Sequence, residues 1–367
     1  MKVYTAYNQK TRGGACRLWE ELLVKLARSP DHVLIYASPE VVRGAEHSHR
    51  RLGRVGGSAL GHLVGLFFTS LFCWWPTPGS IAISQGNLYS LALLPLRWKG
   101  ARLITLIHGD YAREYNVNGH PGGLRKVILK LVNMAYRKSQ LILPVSEDLV
   151  RITRAQSGLP AARFKVVANG CPKIKPTTPA QRLAWREEWK VAADEFLVVF
   201  VGGLNPIKRV DVLLDAVAHI PQGKRPAVRI IGEGPLRSEL EQQVDRLGIA
   251  NQVVFVGALP DIRERMAAAN LLVLCSDYEG CPTVLVEALA NEVLVLGTRV
   301  GGIPEVIGLD GLLVPANDPA ALAKKIENLC EDGDRRERLR TAWVARRACF
   351  ETPWADGVLQ AINTLPQ

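Results

Sequence analysis

The chain contains no C-x-x-C pair. Its cysteines number seven, an odd count, and the nearest two, Cys275 and Cys281, stand six positions apart. This argues against a zinc site and a disulfide framework, and for a reducing compartment. No apolar run of signal-peptide length appears before MKVYTAYNQKTRGG turns polar, so a cytoplasmic protein is expected. Low-complexity tracts and short repeats are missing. So are RNP-like and finger motifs, which leaves nucleic acid unsupported as a partner. From Val55 to Leu96 there is no Asp, Glu, Lys or Arg. Within that gap, Gly56–Trp75 approaches the ~20 residues that span a bilayer, but glycines, Ser58 and His62 interrupt it. A helix covering a sheet is the first reading. A membrane-docking surface beside Arg50, Arg51 and Arg54, and a true span, are the alternatives.

A length of 367 residues suggests two domains, at a prior of ~150 residues each. Apolar residues make up 48% and charged residues 22%, which supplies two cores and argues against wholesale disorder. The net charge of +11 is uneven. Residues 1–170 carry 23 Lys/Arg against 9 Asp/Glu, a balance of +14, while residues 171–367 carry 23 against 26, a balance of −3. The first half is therefore expected to meet something anionic, such as a membrane surface or an acidic acceptor. Plain solubility charge is the bland alternative.

Strand-like and helix-like segments alternate in both halves. KVYTAY, HVLIYAS, SIAIS, RLITLIHG, LILPVS and FKVVANG read as strands of the first half. FLVVFVGGL, AVRIIGEG, QVVFVGAL, LLVLCSDYEG, VLVLGTRVGG and GLLVPAND read as strands of the second. Leu18, Leu22, Leu23 and Leu26 recur at helical spacing, NLYSLALLPLRWKG reads as one helix, and residues 123–138 form a long amphipathic stretch. Continuous apolar strands separated by helices predict an α/β protein with parallel sheets covered on both faces. Residues 168–182 contain Pro172, Pro176, Pro179, Lys173 and Lys175 and read as an inter-domain linker. A terminal helix is predicted with Thr352 as cap and Pro353 at its first position.

Ligands of open parallel sheets bind beyond the carboxyl ends of the strands. After the first strand, Gly13 and Gly14 allow close backbone approach at a helix start, where an anion is favoured. A tight turn without ligand explains them equally well. His108, Asp110 and Tyr111 follow RLITLI, and His108 is a candidate for positioning or proton work. Lys208 and Arg209 stand together at a helix start, where they could hold a diphosphate or be solvated surface charge. Glu279 and Glu287 have seven residues between them. Glu279 lies in the exit turn of LLVLCS, and Pro282 suits the first position of the next helix. Thr283, Glu287 and Asn291 form a polar stripe on an otherwise apolar helix. A partly buried Glu287 needs a hydrogen-bonding partner.

These blocks together resemble the retaining GT-B glycosyltransferases of family 4. FVGGLNPIKRVDVLLDAV, RIIGEGPLRSELE, VVFVGALPDIRERMAAANLLVLCSDYEGCPTVLVEALA and GTRVGGIPEVI follow the family pattern in order, and Glu279 and Glu287 match its E-x7-E signature. The resemblance in the first half rests on Gly13-Gly14, His108-Gly109 and VVANG. It implies two Rossmann-like domains facing across a cleft: an acceptor-side domain at 1–170, a nucleotide-sugar domain at 171–345, and a C-terminal helix at 346–367 crossing back to the first domain. It further implies that Glu287 binds donor ribose and Glu279 the donor sugar. Gly280, Cys281, Pro282 and Thr283 would line sugar and diphosphate, with Lys208 on the diphosphate and Gly14 approaching it. Gly232, Gly234, Ala258 and Leu259 would flank the base, and His108 would lie near the donor sugar. The family usually has Arg where this chain has Gly203 and Gly where it has Arg209, so Arg209 is expected to supply the missing charge.

The expected function is retaining transfer of a sugar from a nucleotide-diphosphate donor to a hydroxyl. The donor would be a co-substrate, with no cofactor and no metal. The D-x-D spacing at Asp332–Asp334 lies in a polar helical tail. An anionic or lipid-linked acceptor, with peripheral contact at the cytoplasmic face of the membrane, fits the basic first half. A sugar-nucleotide epimerase of the same fold and a non-catalytic nucleotide-sugar-binding paralogue are the alternatives.

Overall fold

The computed structural model describes residues 3–7, 14–27, 32–36, 49–51, 59–72, 75–110, 113 and 122–365. Contacts divide the chain into two units. The first is Met1–Ala168 with Trp354–Gln367, and the second is Asn169–Pro353.

The first unit contains β1 (Val3–Tyr7), α1 (Gly14–Ala27), β2 (His32–Tyr36), β3 (His49–Arg51), α2 (Ala59–Phe72), β4 (Ile81–Gln85), α3 (Asn87–Ala92), α4 (Leu94–Trp98), β5 (Arg102–Ile107), α5 (Gly122–Lys138), β6 (Leu141–Pro144) and α6 (Glu147–Ser157). Its sheet is parallel throughout, in the order β3-β2-β1-β4-β5-β6. Ile81, Ile83, Leu103 and Ile104 are fully buried, as strands covered on both faces require. On α1 the predicted leucines are all buried, together with Trp19. Ser146 caps α6 by accepting from the Leu149 N–H, and Gly158 ends that helix at φ 68°, the left-handed conformation that glycine takes without penalty.

Two local expectations change here. NLYSLALLPLRWKG is two helices, because Pro95 has no N–H to continue α3, and the chain restarts after Leu93. FKVVANG runs beside β6 without forming a strand. It makes one bridge, Phe164 to Ile142, and Lys165 and Val167 donate N–H bonds to β6 carbonyls.

The second unit opens with α7 (Pro179–Glu188), capped by Thr178 in a capping box with Gln181, so helix starts inside the predicted linker. It continues through β7 (Leu197–Val201), α8 (Val210–His219), β8 (Ala227–Ile231), α9 (Arg237–Arg246), β9 (Val253–Gly257), α10 (Ile262–Arg265), β10 (Leu271–Leu274), α11 (Thr283–Ala290), β11 (Leu294–Thr298), α12 (Ile303–Ile307), β12 (Leu313–Val314), α13 (Pro319–Glu331) and α14 (Gly333–Ala345). The parallel order is β12-β11-β10-β7-β8-β9. GLLVPAND thus contributes only a two-residue strand. Asp332, of the D-x-D spacing, caps α14 by accepting from the Arg335 N–H at 2.8 Å.

The terminal helix α15 (Trp354–Asn363) belongs to the first unit. There it packs on α1, and Lys25 pairs with Asp356. It begins one residue after Pro353, and the turn at Arg346–Phe350 stays with the second unit.

Candidate functional site

Strand order fixes where a ligand crevice can open. In the second sheet β7 comes first in sequence and lies between β8 and β10, so the order reverses between β7 and β10. Such a switch point leaves a gap beyond the carboxyl ends of the two strands. Lys208 follows β7 and Glu279 follows β10, and the two side chains form an ion pair there.

Several backbone contacts hold this pair. Asp277 N–H donates to the Ile207 carbonyl at 2.8 Å, tying the exit of β10 to the turn that carries Lys208. Ser276 Oγ donates to Glu279 Oε1 at 2.9 Å, and Thr298 Oγ1 donates to the Ser276 carbonyl at 2.7 Å. Gly302 N–H donates to the Glu279 carbonyl at 2.9 Å. Gly301, at φ +52°, lies so close that a Cβ would stand 2.1 Å from the Glu279 oxygen. Glycine is therefore obligatory at 301. The side chains of Lys208 and Glu279 remain 23% and 13% exposed, within reach of a ligand.

Arg209 stands at the same edge, but its charge is already met. Nε and Nη2 bond Asp211 at 2.9–3.2 Å, and Nη1 reaches Asp277 at 3.3 Å and also Asn317. The hydrogen bonds it donates to Asp211 hold its pKa above the usual guanidinium range. The expectation that Arg209 replaces the charge missing at Gly203 thus meets a guanidinium turned to carboxylates. Its backbone explains the family glycine: Arg209 adopts φ 49°, ψ 46°, where a side chain costs ~1–2 kcal/mol. Gly203 itself is unforced, since a Cβ there would meet only Asn205 Nδ2 at 3.3 Å and the Glu233 carbonyl at 3.8 Å.

Glu287 sits one turn into α11 and is 3% exposed. The partner it needs is Arg263, whose Nε donates to Glu287 Oε1 at 2.8 Å. Asn291 Nδ2 donates to the Arg263 carbonyl at 2.7 Å, so the polar stripe of α11 faces α10 and not solvent. Gly280, Cys281 and Pro282 are buried before the helix, with Thr283 half-buried. Burial pushes the Cys281 thiol up to about 12, so it is uncharged. The Cys281 carbonyl accepts from Asn169 Nδ2 at 2.6 Å.

Gly232 and Gly234 have a packing role. A Cβ would lie 1.8 Å from the Gly202 oxygen at 232 and 2.2 Å from the Leu204 oxygen at 234. The loops after β7 and β8 meet backbone to backbone. Leu259 is half-buried in the loop after β9.

In the first unit, Gly14 begins α1. Gly13 and Tyr111 lie outside the described residues. His108 follows β5, its ring 5.1 Å from that of Trp354 in α15. Burial lowers its pKa to about 4, so the imidazole is neutral at physiological pH. Its Nε2 is buried without a hydrogen-bond partner among the described residues. Asp110 is buried and pairs with Arg113 at 3.4 Å. Hydroxyls link the neighbouring elements: Ser84 to Ser90 at 2.6 Å, Ser90 to Thr105 at 2.8 Å and Thr105 to Ser139 at 2.8 Å.

Sequence reasoning missed Arg263, Ser276, Asp277, Asn169 and the Gly301–Glu279 contact. GTRVGGIPEVI held a signal for the last, a glycine pair following a buried strand. Arg263 gave none, being one of several charges in PDIRERM.

The family model described as Glycosyl transferases group 1 matches residues 181–343, and that described as Glycosyltransferase Family 4 matches residues 12–172. Among curated proteins, the chain is 25% identical over 266 residues to N-acetyl-alpha-D-glucosaminyl L-malate synthase of Bacillus anthracis, covering 72% of this chain and 67% of that one. It is 38% identical over 150 residues to an alpha-1,4-N-acetyl-D-galactosaminyltransferase of Campylobacter jejuni whose name carries a PP-undecaprenol-linked glycan, covering 40% and 41%. Several of these matches span only about half of the relative's length. The fold matches Anabaena HepE in complex with UDP at TM-score 0.81 and 21% identity, with 100% of both chains covered. It also matches a Rickettsia africae glycosyltransferase at TM-score 0.76 and 16% identity, covering 99% and 97%. The chain belongs to the GT-B glycosyltransferases of family 4.

Proposed function

We propose that this protein moves a sugar from a nucleoside-diphosphate donor to a hydroxyl acceptor, with retention of anomeric configuration and without a metal. The reading rests above all on Lys208 and Glu279, paired at the β7/β10 switch point. Breaking the donor's glycosidic bond gives the sugar oxocarbenium character and builds negative charge on the diphosphate. Lys208 turns from Glu279 to that diphosphate, where the first amides of α11 add their partial positive charge. Glu279, relieved of Lys208, accepts hydrogen bonds from the sugar hydroxyls. Glu287 accepts from the ribose diol. Gly280 to Thr283 line the sugar and diphosphate, and Leu259 flanks the base. Arg209 braces the turn that carries Lys208. His108 offers a neutral imidazole to a hydroxyl. The donor role belongs to 171–345 and the acceptor role to 1–170.

The acceptor is proposed to be a lipid-linked or membrane-presented glycan. The Campylobacter relative carries such a lipid in its name, and the surface of the first unit supports the idea. No acidic residue occurs between Glu46 and Asp110. On α2, Phe68 and Phe72 stack at 6.2 Å and are 51% and 68% exposed, with Trp75 and Trp98 exposed nearby. Exposed aromatics beside Arg97 and Lys99, in a stretch without acidic residues, suit peripheral contact with anionic lipid. No helix among the described residues is long and apolar enough to cross a membrane.

A thermal-shift screen of UDP-, GDP- and ADP-sugars tests the donor reading, because bound ligand raises apparent stability. A response to one class is expected, and product NMR should show retained configuration. No response to any would overturn the reading. Release of free nucleotide without an acceptor would favour the epimerase. Salt-sensitive co-sedimentation with anionic vesicles is expected, and it should weaken in Phe68→Ser/Phe72→Ser. Equal partitioning to neutral vesicles would count against the membrane part.

A further inference from the structure

Arg263 lies at the donor edge and is both pinned and open. It lies on α10, just beyond the loop leaving β9. Its Nε is fixed on the buried Glu287 at 2.8 Å, and its carbonyl is fixed by Asn291 at 2.7 Å. Its Nη1 and Nη2 make no hydrogen bond to any described residue, and the side chain is 27% exposed. Three other arginines of the unit differ. Arg186 and Arg229 use all three nitrogens on carbonyls, and Arg209 uses all three on Asp211, Asp277 and Asn317.

We propose that Arg263 reads the nucleoside of the donor: it orients Glu287 for the ribose diol, and its two terminal nitrogens donate to acceptor oxygens of the same ribose or its base. This rests on the donor reading above. The chemistry separates it from Lys208. A carboxylate beside a guanidinium is neutral as a pair, so it suits a neutral polar ligand. The hydroxyls of a diol donate to the carboxylate, and the guanidinium fork donates to oxygen acceptors. The unneutralised phosphate charge falls to Lys208. The ordinary alternative is that the pair merely ties α10 to α11.

The two are separated by a ratio that a tie between helices would not move. Calorimetric titration of UDP, GDP and ADP, each with its 2′-deoxy form, is carried out on the wild type, Arg263→Met and Arg263→Lys. The wild type should prefer the ribo form of its nucleotide by about tenfold, the size of one hydrogen bond involving a charged group. In Arg263→Met that preference should fall below about threefold, with the preference for diphosphate over monophosphate unchanged. Arg263→Lys keeps a cation beside the buried carboxylate but lacks the fork. It should also lose most of the discrimination, and it decides the question if the Met variant does not fold. Folded variants that keep the wild-type ratio would overturn the proposal. A wild type that binds nucleoside diphosphate without discriminating the 2′-hydroxyl would overturn it while leaving the donor reading intact. A wild type that binds none of the three would remove the donor reading itself.

Discussion

In the second unit the strand ends carry ion pairs: Lys208 with Glu279, Arg209 with Asp211 and Asp277, Arg263 with Glu287. In the first unit the described residues hold a buried chain of hydroxyls, Ser84, Ser90, Thr105 and Ser139, and an uncharged His108 that follows β5 beside the Asp110–Arg113 pair. The net charges run the other way, −3 in the second half of the chain and +14 in the first. Net charge therefore does not say where charge is organised. In the second unit these cations are paired with carboxylates at the strand ends. In residues 1–170 basic residues outnumber acidic ones 23 to 9, and an excess of one sign speaks only to non-specific attraction.

The largest effect that could break this comparison is loss of Lys208. Lys208→Ala should lower turnover by ~10²–10³-fold, the size seen when one preorganised group facing developing charge is removed. His108→Asn should cost much less under the same assay. If the order is reversed, the charged edge is not where the leaving group is stabilised.

Gly301→Ala comes next. Its Cβ would collide with the Glu279 carbonyl at a left-handed backbone, so the chain must shift. A loss of about 1–3 kcal/mol is expected in denaturant unfolding, with donor affinity falling too. Retained affinity would mean that the Gly301 contact does not position Glu279.

The third prediction concerns pH. His108 is held neutral by burial, with its pKa near 4 in the fold against 6.5 when exposed. Between those values the unfolded chain takes up a proton that the folded chain refuses, so stability is complete above about pH 6.5 and falls as pH drops toward 4. His108→Asn should flatten that part of the melting-temperature profile. An unchanged slope would show that His108 is not held neutral by its surroundings.

The smallest effect separates two roles of Arg209. Arg209→Gly relieves the left-handed backbone and loses exposed ion pairs worth ~0–1 kcal/mol. Arg209→Ala loses the pairs without the relief. The Gly variant should therefore be the more stable by ~1 kcal/mol, and both should retain turnover within about threefold, since pairs of this kind contribute little. A large loss of turnover in both would restore Arg209 as a phosphate ligand.

The fold was legible because buried parallel strands leave unbroken apolar runs. LVVFV, AVRII and LVLGT each have every residue buried or nearly so. The failures have local causes. Pro95 divides a helix, and FKVVANG is apolar enough for a strand yet makes only one-sided bonds to β6. Among the candidate site residues, Lys208, Glu279 and Glu287 stood out because the E-x7-E spacing and the strand-end rule are both sequence patterns. Their partners could not. Arg263 meets Glu287 across 24 positions of chain, and Gly301 meets Glu279 through the return from β11. Such contacts depend on tertiary closure, and no periodicity records them. Arg209 was visible as a charge, but sequence does not show that Asp211 and Asp277 already pair with it.

The central claim is that Lys208 exchanges Glu279 for a diphosphate. The direct measurement is calorimetric affinity of the wild type and Lys208→Ala for a nucleoside diphosphate and its monophosphate. The wild type should prefer the diphosphate by about tenfold or more, and Lys208→Ala should bind the two nearly equally. A variant that keeps the full diphosphate preference would contradict the account.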